Sequence, residues 1–181
     1  MLNKFKKASI RLYENKRLFY IKGSHHRVRI PCLNKDLALL LGILWGDGWL
    51  INRNLAKKKG NWRGGMVEDD RELVFDFMNL VKKVFSINVG YYDRDTYLEA
   101  YFNSRIVYEI LNKIYGFPDG DKINRLYIPK QILSNKTLIF SFLKGLFSTD
   151  GKFTLYKNYP RIGLSSASLL FIEEVEKVLF E

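Results

Sequence analysis

One seven-residue pattern occurs twice in this chain and restricts its fold more than any other feature. Leu41-Gly42-Ile43-Leu44-Trp45-Gly46-Asp47-Gly48 and Lys144-Gly145-Leu146-Phe147-Ser148-Thr149-Asp150-Gly151 share Gly-x-x-x-x-Asp-Gly at an offset of 103 residues. Each copy follows helix-like apolar sequence and precedes strand-like sequence. Gly42, Gly46 and Gly145 would each cost about 1 kcal/mol in a helix interior, so their use asks for a compensating close approach of two backbones. Two such helices side by side put Asp47 and Asp150 together at their C-terminal ends. Gly48 suits the position just after a helix.

The surroundings of the two motifs repeat as well. A helix is expected over about Asp36 to Asp47, then strands near Trp49–Lys57 and Asn61–Val67 joined at Lys59-Gly60. A second helix follows over Asp70 to Phe85, with Leu73, Phe77, Leu80, Val81 and Val84 at helical spacing. Strands near Val89–Asp93 and Thr96–Asn103 and a helix from Arg105 to Tyr115, closed by Gly116, complete the unit. After Gly151 the order restarts. Lys152 to Tyr156 alternates as a half-buried strand, Tyr159-Pro160 turns the chain, Arg161–Ser165 pairs back, and Ser168 begins a helix reaching Phe180. Counterparts of residues 86–134 do not follow, so the second unit is expected to be incomplete at the C-terminus, whether truncated or reduced. The expected divisions are a basic arm or hairpin over 1–35 (Phe19–Lys22 and Arg27–Pro31 around Gly23), a first repeat over 36–134 and a partial second over 135–181.

Composition narrows the function. The 181 residues, 47% of them hydrophobic, suit one domain or two joined halves with a real core. Cys32 is the single cysteine, which excludes an intrachain disulfide or a Cys-rich zinc site, and it reads as a small buried residue. The N-terminus lacks a signal-peptide apolar run, and the longest apolar stretch, Leu37 to Gly46, is ten residues, so an intracellular, cytoplasmic and nucleoid-associated protein is expected. Net charge is +11, and residues 1–36 hold ten Lys/Arg against two acids, which is +8 of that total. Arg53, Lys57, Lys58, Lys59 and Arg63 form a second basic cluster with no acid. A polyanion that releases counterions suits such clusters. His25 and His26 are adjacent, point to opposite faces of a strand and make a poor metal pair. Tyr91, Tyr92, Phe75 and Phe77 are expected to pack rather than to stack on bases.

Carboxylates gathered at the negative ends of two helix dipoles repel each other and favour a bound divalent cation. Oxygen-only donors suit Mg²⁺ or Ca²⁺. With these residues in view, Leu40 to Gly48 and Leu143 to Gly151 resemble the paired motifs of the LAGLIDADG homing endonucleases, most closely the archaeal single-chain type associated with introns or inteins. The likeness spans about residues 36–181. It implies an α+β fold of αββαββα repeats related by a pseudo-two-fold axis, with curved antiparallel sheets in the DNA major groove. It also implies Mg²⁺ on Asp47 and Asp150, with the carbonyls of Gly46 and Thr149 as further ligands, and hydrolysis of both strands of double-stranded DNA at a long site.

Strand alternation then selects DNA-facing residues: Lys152, Thr154, Tyr156 and Asn158, with Arg161 and Ser165 opposite, while Phe153, Leu155, Ile162 and Leu164 face the helices. In the first half Asn52, Asn54 and Lys58 alternate with Ile51 and Leu55, and Arg53, Lys57 and Arg63 are further contacts to phosphate or guanine. Family members often carry a Lys or Gln near the end of each second strand, where this chain has Glu68-Asp69 and Ser165-Ser166. That departure keeps open a non-cleaving relative, such as an intron-RNA splicing maturase or a truncated remnant. It also leaves open whether the chain is a monomer or a dimer that completes the second half.

Overall fold

The computed structural model describes residues 10–13, 18–21, 27–53 and 61–180. Asn54, Lys57, Lys58, His25 and His26 lie outside the described residues. Three short strands, β1 (Ile10–Tyr13), β2 (Leu18–Ile21) and β3 (Arg27–Arg29), form an antiparallel sheet in sequence order. Helix α1 (Lys35–Asp47) starts where the Asn34 side chain accepts the Leu37 N–H at 3.0 Å. It is apolar on nearly every side, and Leu37 through Gly46 are buried except Leu39, as befits a helix enclosed by others.

Strands β4 (Gly48–Arg53) and β5 (Asn61–Glu68) follow, then α2 (Arg71–Phe85), capped by Asp70, whose carboxylate accepts from the N–H groups of Glu72 and Leu73. β6 (Gly90–Asp93) and β7 (Leu98–Asn103) complete a four-stranded sheet in the order β4-β5-β7-β6. The third helix begins as α3 (Arg105–Glu109) but continues through Ile114 as a π-helical turn, a change of winding that apolar periodicity does not reveal. A short α4 (Lys130–Leu133) leads to α5 (Lys136–Thr149), the hairpin of β8 (Gly151–Tyr156) and β9 (Tyr159–Leu164), and α6 (Leu169–Phe180).

The contact between α1 and α5 is made by the motif glycines. A Cβ on Gly42 would lie 2.0 Å from the Phe142 carbonyl oxygen, and one on Gly145 would lie 2.2 Å from that of Leu39. The two sites are reciprocal, so the helices run side by side in the same direction and both end at the two Asp-Gly pairs. Trp45 anchors the bundle, edge-to-face on Phe117 and Phe142 with centroids 4.8 and 6.0 Å away, and its Nε1 donates to the Tyr127 carbonyl at 2.8 Å.

Gly48 directly follows α1 with an extended backbone (φ −74°), and what requires glycine there is the Leu44 carbonyl 2.4 Å from where a Cβ would sit. Three expectations are corrected here. The β8–β9 turn is Lys157-Asn158, with φ of 48° and 67°, so Asn158 caps the hairpin instead of lying on a strand face, and Tyr159-Pro160 opens β9. Phe153, Leu155 and Ile162 do share one face, but they are 67%, 68% and 74% exposed. In the first sheet the matching face is filled by Phe102 of β7, which closes over Leu50 and Gly64. No described segment does this for β8–β9, and only Leu164 packs on the core. Cys32 is exposed, because it precedes α1 on an open loop.

Candidate metal centre and nucleic-acid face

Asp47 and Asp150 stand together because Gly46 lets them. A Cβ on Gly46 would meet Thr149 Oγ1 at 1.9 Å and the Asp150 carboxyl carbon at 3.5 Å. Thr149 Oγ1 is held in turn by the Leu146 carbonyl at 2.9 Å. Burial raises the Asp150 carboxyl to about 6, the Asp47 charge pushes it the same way, and Lys122 pulls it down. This is the electrostatic signature of a site short of positive charge.

Lys122 is the residue that sequence reading missed. Its ammonium donates to the Gly46 carbonyl and faces both aspartates; burial lowers its pKa, and the two carboxylates raise it. The loop that delivers it is fastened to the end of β4. The Gly120 N–H donates to the Leu50 carbonyl at 2.8 Å, Asp119 Oδ1 accepts the Asn52 N–H at 2.8 Å, and Arg125 Nη1 donates to the Asp119 and Asp121 carbonyls. No local pattern marks this lysine, which is 76 residues from the oxygen it binds. Lys122→Met is expected to move the Asp150 midpoint above about 6, measured by carboxyl ¹³C titration, since the group that lowers it is gone.

Glu68 ends β5 beside Asp47. Burial, then the Asp69 and Asp47 carboxyls, hold it at about 7. A raised carboxyl favours the protonated fold, so its stabilisation is present below the ordinary value of 4.5 and is lost as pH rises through about 7. Melting temperature should therefore fall less between pH 5 and 8 in Glu68→Gln than in the parent chain, read from paired thermal scans.

The donors at this place are oxygens: two carboxylates, with the Gly46 and Thr149 carbonyls at the helix ends. That chemistry fits a hard divalent cation, and Lys122 shows where a cation is favoured. Among the described residues no group of three or more His, Cys, Asp or Glu side chains could hold a metal. A cavity of about 570 Å³ opens beside Asp150 and Lys122, lined by Trp49, Ser165, Ser166 and Ser168. Ser165 thus sits at this cavity, its N–H on the Asp150 carbonyl at 3.3 Å, and is not part of a strand.

Away from the helices, the four-stranded sheet has an open face. Ladder register sets Trp49, Ile51 and Arg53 of β4 beside Asn61, Arg63 and Gly65 of β5, then Tyr101 and Asn103 of β7. Asn52 lies on the opposite, helix-facing side with buried Leu50, and its Oδ1 is buried without a partner. The expected alternation of β4 was one residue out of phase, because Leu50, not Ile51, is the core residue. The Arg63 guanidinium lies 4.5 Å from the Tyr101 ring, its Nε buried and without a hydrogen bond. Tyr101 stacks on Tyr92 at 4.8 Å, and Arg94 covers Tyr92 at 5.2 Å. In the hairpin Lys152, Thr154, Tyr156 and Arg161 share one exposed face, with Arg161 4.2 Å from the Tyr156 ring.

Residues 137–181 match the model of the LAGLIDADG-like domain. The chain is 27% identical over 157 residues to a DNA polymerase of Thermococcus hydrothermalis. It is 32% identical over 161 residues to a replication factor C small subunit of Methanocaldococcus jannaschii. Those alignments cover 86% and 80% of this chain but 9% of each relative. Among solved structures, mesophilic variants of the homing endonuclease I-DmoI superpose with a TM-score of 0.62 at 18% identity, over 81% of this chain and 75% of theirs. I-DmoI in complex with DNA and Mn gives 0.61 at 18% identity, over 81% and 76%. The chain therefore has the mixed α+β LAGLIDADG endonuclease fold. No helix among the described residues is long and apolar enough to cross a membrane.

Proposed function

We propose that the chain, whose residues 137–181 match the LAGLIDADG-like domain and whose fold is that of the LAGLIDADG endonucleases, is a site-specific double-strand DNA endonuclease whose cation is held by Asp47 and Asp150. The observation that carries this reading is the packing of Gly42 and Gly145, which sets two carboxylates at a shared helix end that the loop over 119–125 faces with one buried lysine. The DNA and Mn in the I-DmoI complex support a duplex substrate and a divalent cation, with Mg²⁺ as the ion of choice. We read residues 1–35 as a basic arm, 36–134 as the first repeat and 135–181 as the second.

A cation bound between the two carboxylates would activate water and stabilise the leaving oxygen. Asp47, Asp150 and the Gly46 and Thr149 carbonyls would hold it. Lys122 Nζ donates hydrogen bonds into the same space and offers them to a scissile phosphate oxygen in exchange for the Gly46 carbonyl. Arg63, Arg53, Lys152, Thr154, Tyr156 and Arg161 orient the duplex over the helix ends, with Asn54, Lys57, Lys58 and the hairpin-tip Asn158 as further contacts.

A randomised duplex library in Mg²⁺, incubated with the parent chain and with Asp47→Asn/Asp150→Asn, tests the reading. Cut products from the parent alone support it. Salt-sensitive binding by both proteins with no cleavage by either contradicts it and favours a binding or splicing role.

A further inference from the structure

Ladder register seats an arginine between two rings on the open face of the β4-β5-β7-β6 sheet. Trp49 of β4, Gly65 of β5 and Tyr101 of β7 stand in one row across the strands. Glycine puts no side chain between the two rings, and Arg63, earlier on β5 and on the same face, leans into that space. Its guanidinium lies 5.9 Å from the Trp49 ring and 4.5 Å from the Tyr101 ring. Arg94 rests on Tyr92 and Arg161 on Tyr156, but Arg63 is held by two rings at once.

The Tyr101 ring is itself fixed. It stacks on Tyr92, with centroids 4.8 Å apart and planes inclined by 20°. It also lies over Gly90, where a Cβ would come within 2.9 Å of the ring and of its hydroxyl oxygen. Arg63 Nε is buried with no hydrogen bond, and no carboxylate forms an ion pair with Arg63 among the described residues. Nε forgoes a partner to keep this seat, a cost that a freely moving surface arginine avoids by turning to water. With Nε turned into the sheet, the two Nη groups remain as a planar pair of donors for a ligand.

We infer that Tyr101, with Trp49, is a positioning residue that holds Arg63 as the reader of one guanine in the major groove. The inference rests on the reading of this open face as a duplex-binding surface. Guanine presents O6 and N7 side by side, and a planar fork meets both at once, whereas a phosphate is held equally by a point charge such as lysine. Orientation therefore decides a guanine contact and matters little for a phosphate contact. Two rings that settle the Arg63 rotamer before DNA arrives also reduce the side-chain entropy lost on binding.

Selection of bound duplexes from a randomised library, without Mg²⁺ so that binding alone is read, tests the assignment. The parent chain should favour guanine at one position by about 5- to 150-fold over the other bases. Arg63→Lys should lose that preference. Tyr101→Leu should lose most of it at an unchanged salt slope, because the charge remains, and Tyr101→Phe, which keeps the ring, should retain it. A merely structural tyrosine would weaken all binding without altering base choice. Parent-like selected sequences from Arg63→Lys overturn the inference and make Arg63 a phosphate contact. Parent-like sequences from Tyr101→Leu overturn it as well and leave Tyr101 a packing residue, as does the lack of any guanine preference in the parent. Duplex cleavage by a parent chain whose selected sites survive both substitutions sinks this inference and leaves the endonuclease reading standing. A guanine preference lost as expected, in a chain that never cuts, does the reverse.

Discussion

Gly42→Ala should destabilise the chain by about 3 kcal/mol, and Gly145→Ala by a similar amount, at the upper end of overpacking costs. Helix propensity alone argues the other way, since alanine gains about 1 kcal/mol over glycine in a helix interior. The structure decides the sign. The added methyl at residue 42 meets the Phe142 carbonyl oxygen at 2.0 Å and the Leu146 nitrogen at 2.8 Å, which are backbone atoms with no rotamer to change. Only separation of α1 from α5 relieves the clash, and that separation loosens Trp45 from Phe142 as well. For a chain of this size, about 3 kcal/mol corresponds to a fall of about 6–12 °C in melting temperature. Gly163→Ala is the control: nothing lies within 4 Å of its Cβ position, so its melting temperature should hold or rise slightly. A stabilised Gly42→Ala chain would show that the two helices are not packed this closely.

Asp150→Asn should lose cleavage by about 10³-fold or more, keep duplex binding and melt at a higher temperature. The stability gain follows from the same physics as the loss. Burial and Asp47 raise the Asp150 carboxyl to about 6, so at pH 7 the fold carries a charge that it disfavours. A neutral amide removes that penalty, on the order of 1 kcal/mol once solvent screening of a half-buried group is discounted. A residue kept at a cost to the fold is characteristic of a functional site, whereas an aspartate held by a stabilising ion pair or hydrogen bonds to its charged form would lower the melting temperature when neutralised. Thermal scans at pH 7 and at pH 4 separate the two, because the gain should vanish at pH 4, where Asp150 is already protonated.

Much of this fold is legible in the sequence, and the reason is the paired motif. Glycines at matched positions in two apolar helices have one economical explanation, and Gly42 and Gly145 satisfy it reciprocally. Helix and strand order followed from periodicity: of Leu73, Phe77, Leu80, Val81 and Val84 in α2, the last two and Phe77 are buried and the two leucines pack on the core from its edge, with Val74 joining the buried face. Fine placement was less legible. The phase of β4 depends on Leu50 being covered by Phe102, a contact 52 residues away that alternation cannot supply. The Lys157-Asn158 turn was hidden because neither residue is glycine, and Tyr159-Pro160 carries the stronger local turn signal.

In the candidate site the two aspartates could be read, since their chemistry is written in a repeat. Lys122 could not, because its role comes from a loop pinned by Asp119 and Gly120 to the end of β4. Glu68 stands where the family pattern leads one to look for a Lys or Gln. With Lys122 supplying the cation from elsewhere, the missing basic residue at the end of β5 ceases to argue against catalysis. Arg63 was visible as part of a basic cluster, but its seat on Tyr101 required the β5–β7 register.

If Asp47 and Asp150 form one divalent-cation site, Mn²⁺ binding followed by electron paramagnetic resonance reads it out. The parent chain in the presence of duplex DNA should take up Mn²⁺ at a site that Mg²⁺ displaces, and the Asp47→Asn/Asp150→Asn chain, bound to the same duplex, should not. Equal Mn²⁺ uptake by both chains would place the cation, and the chemistry with it, away from the two aspartates.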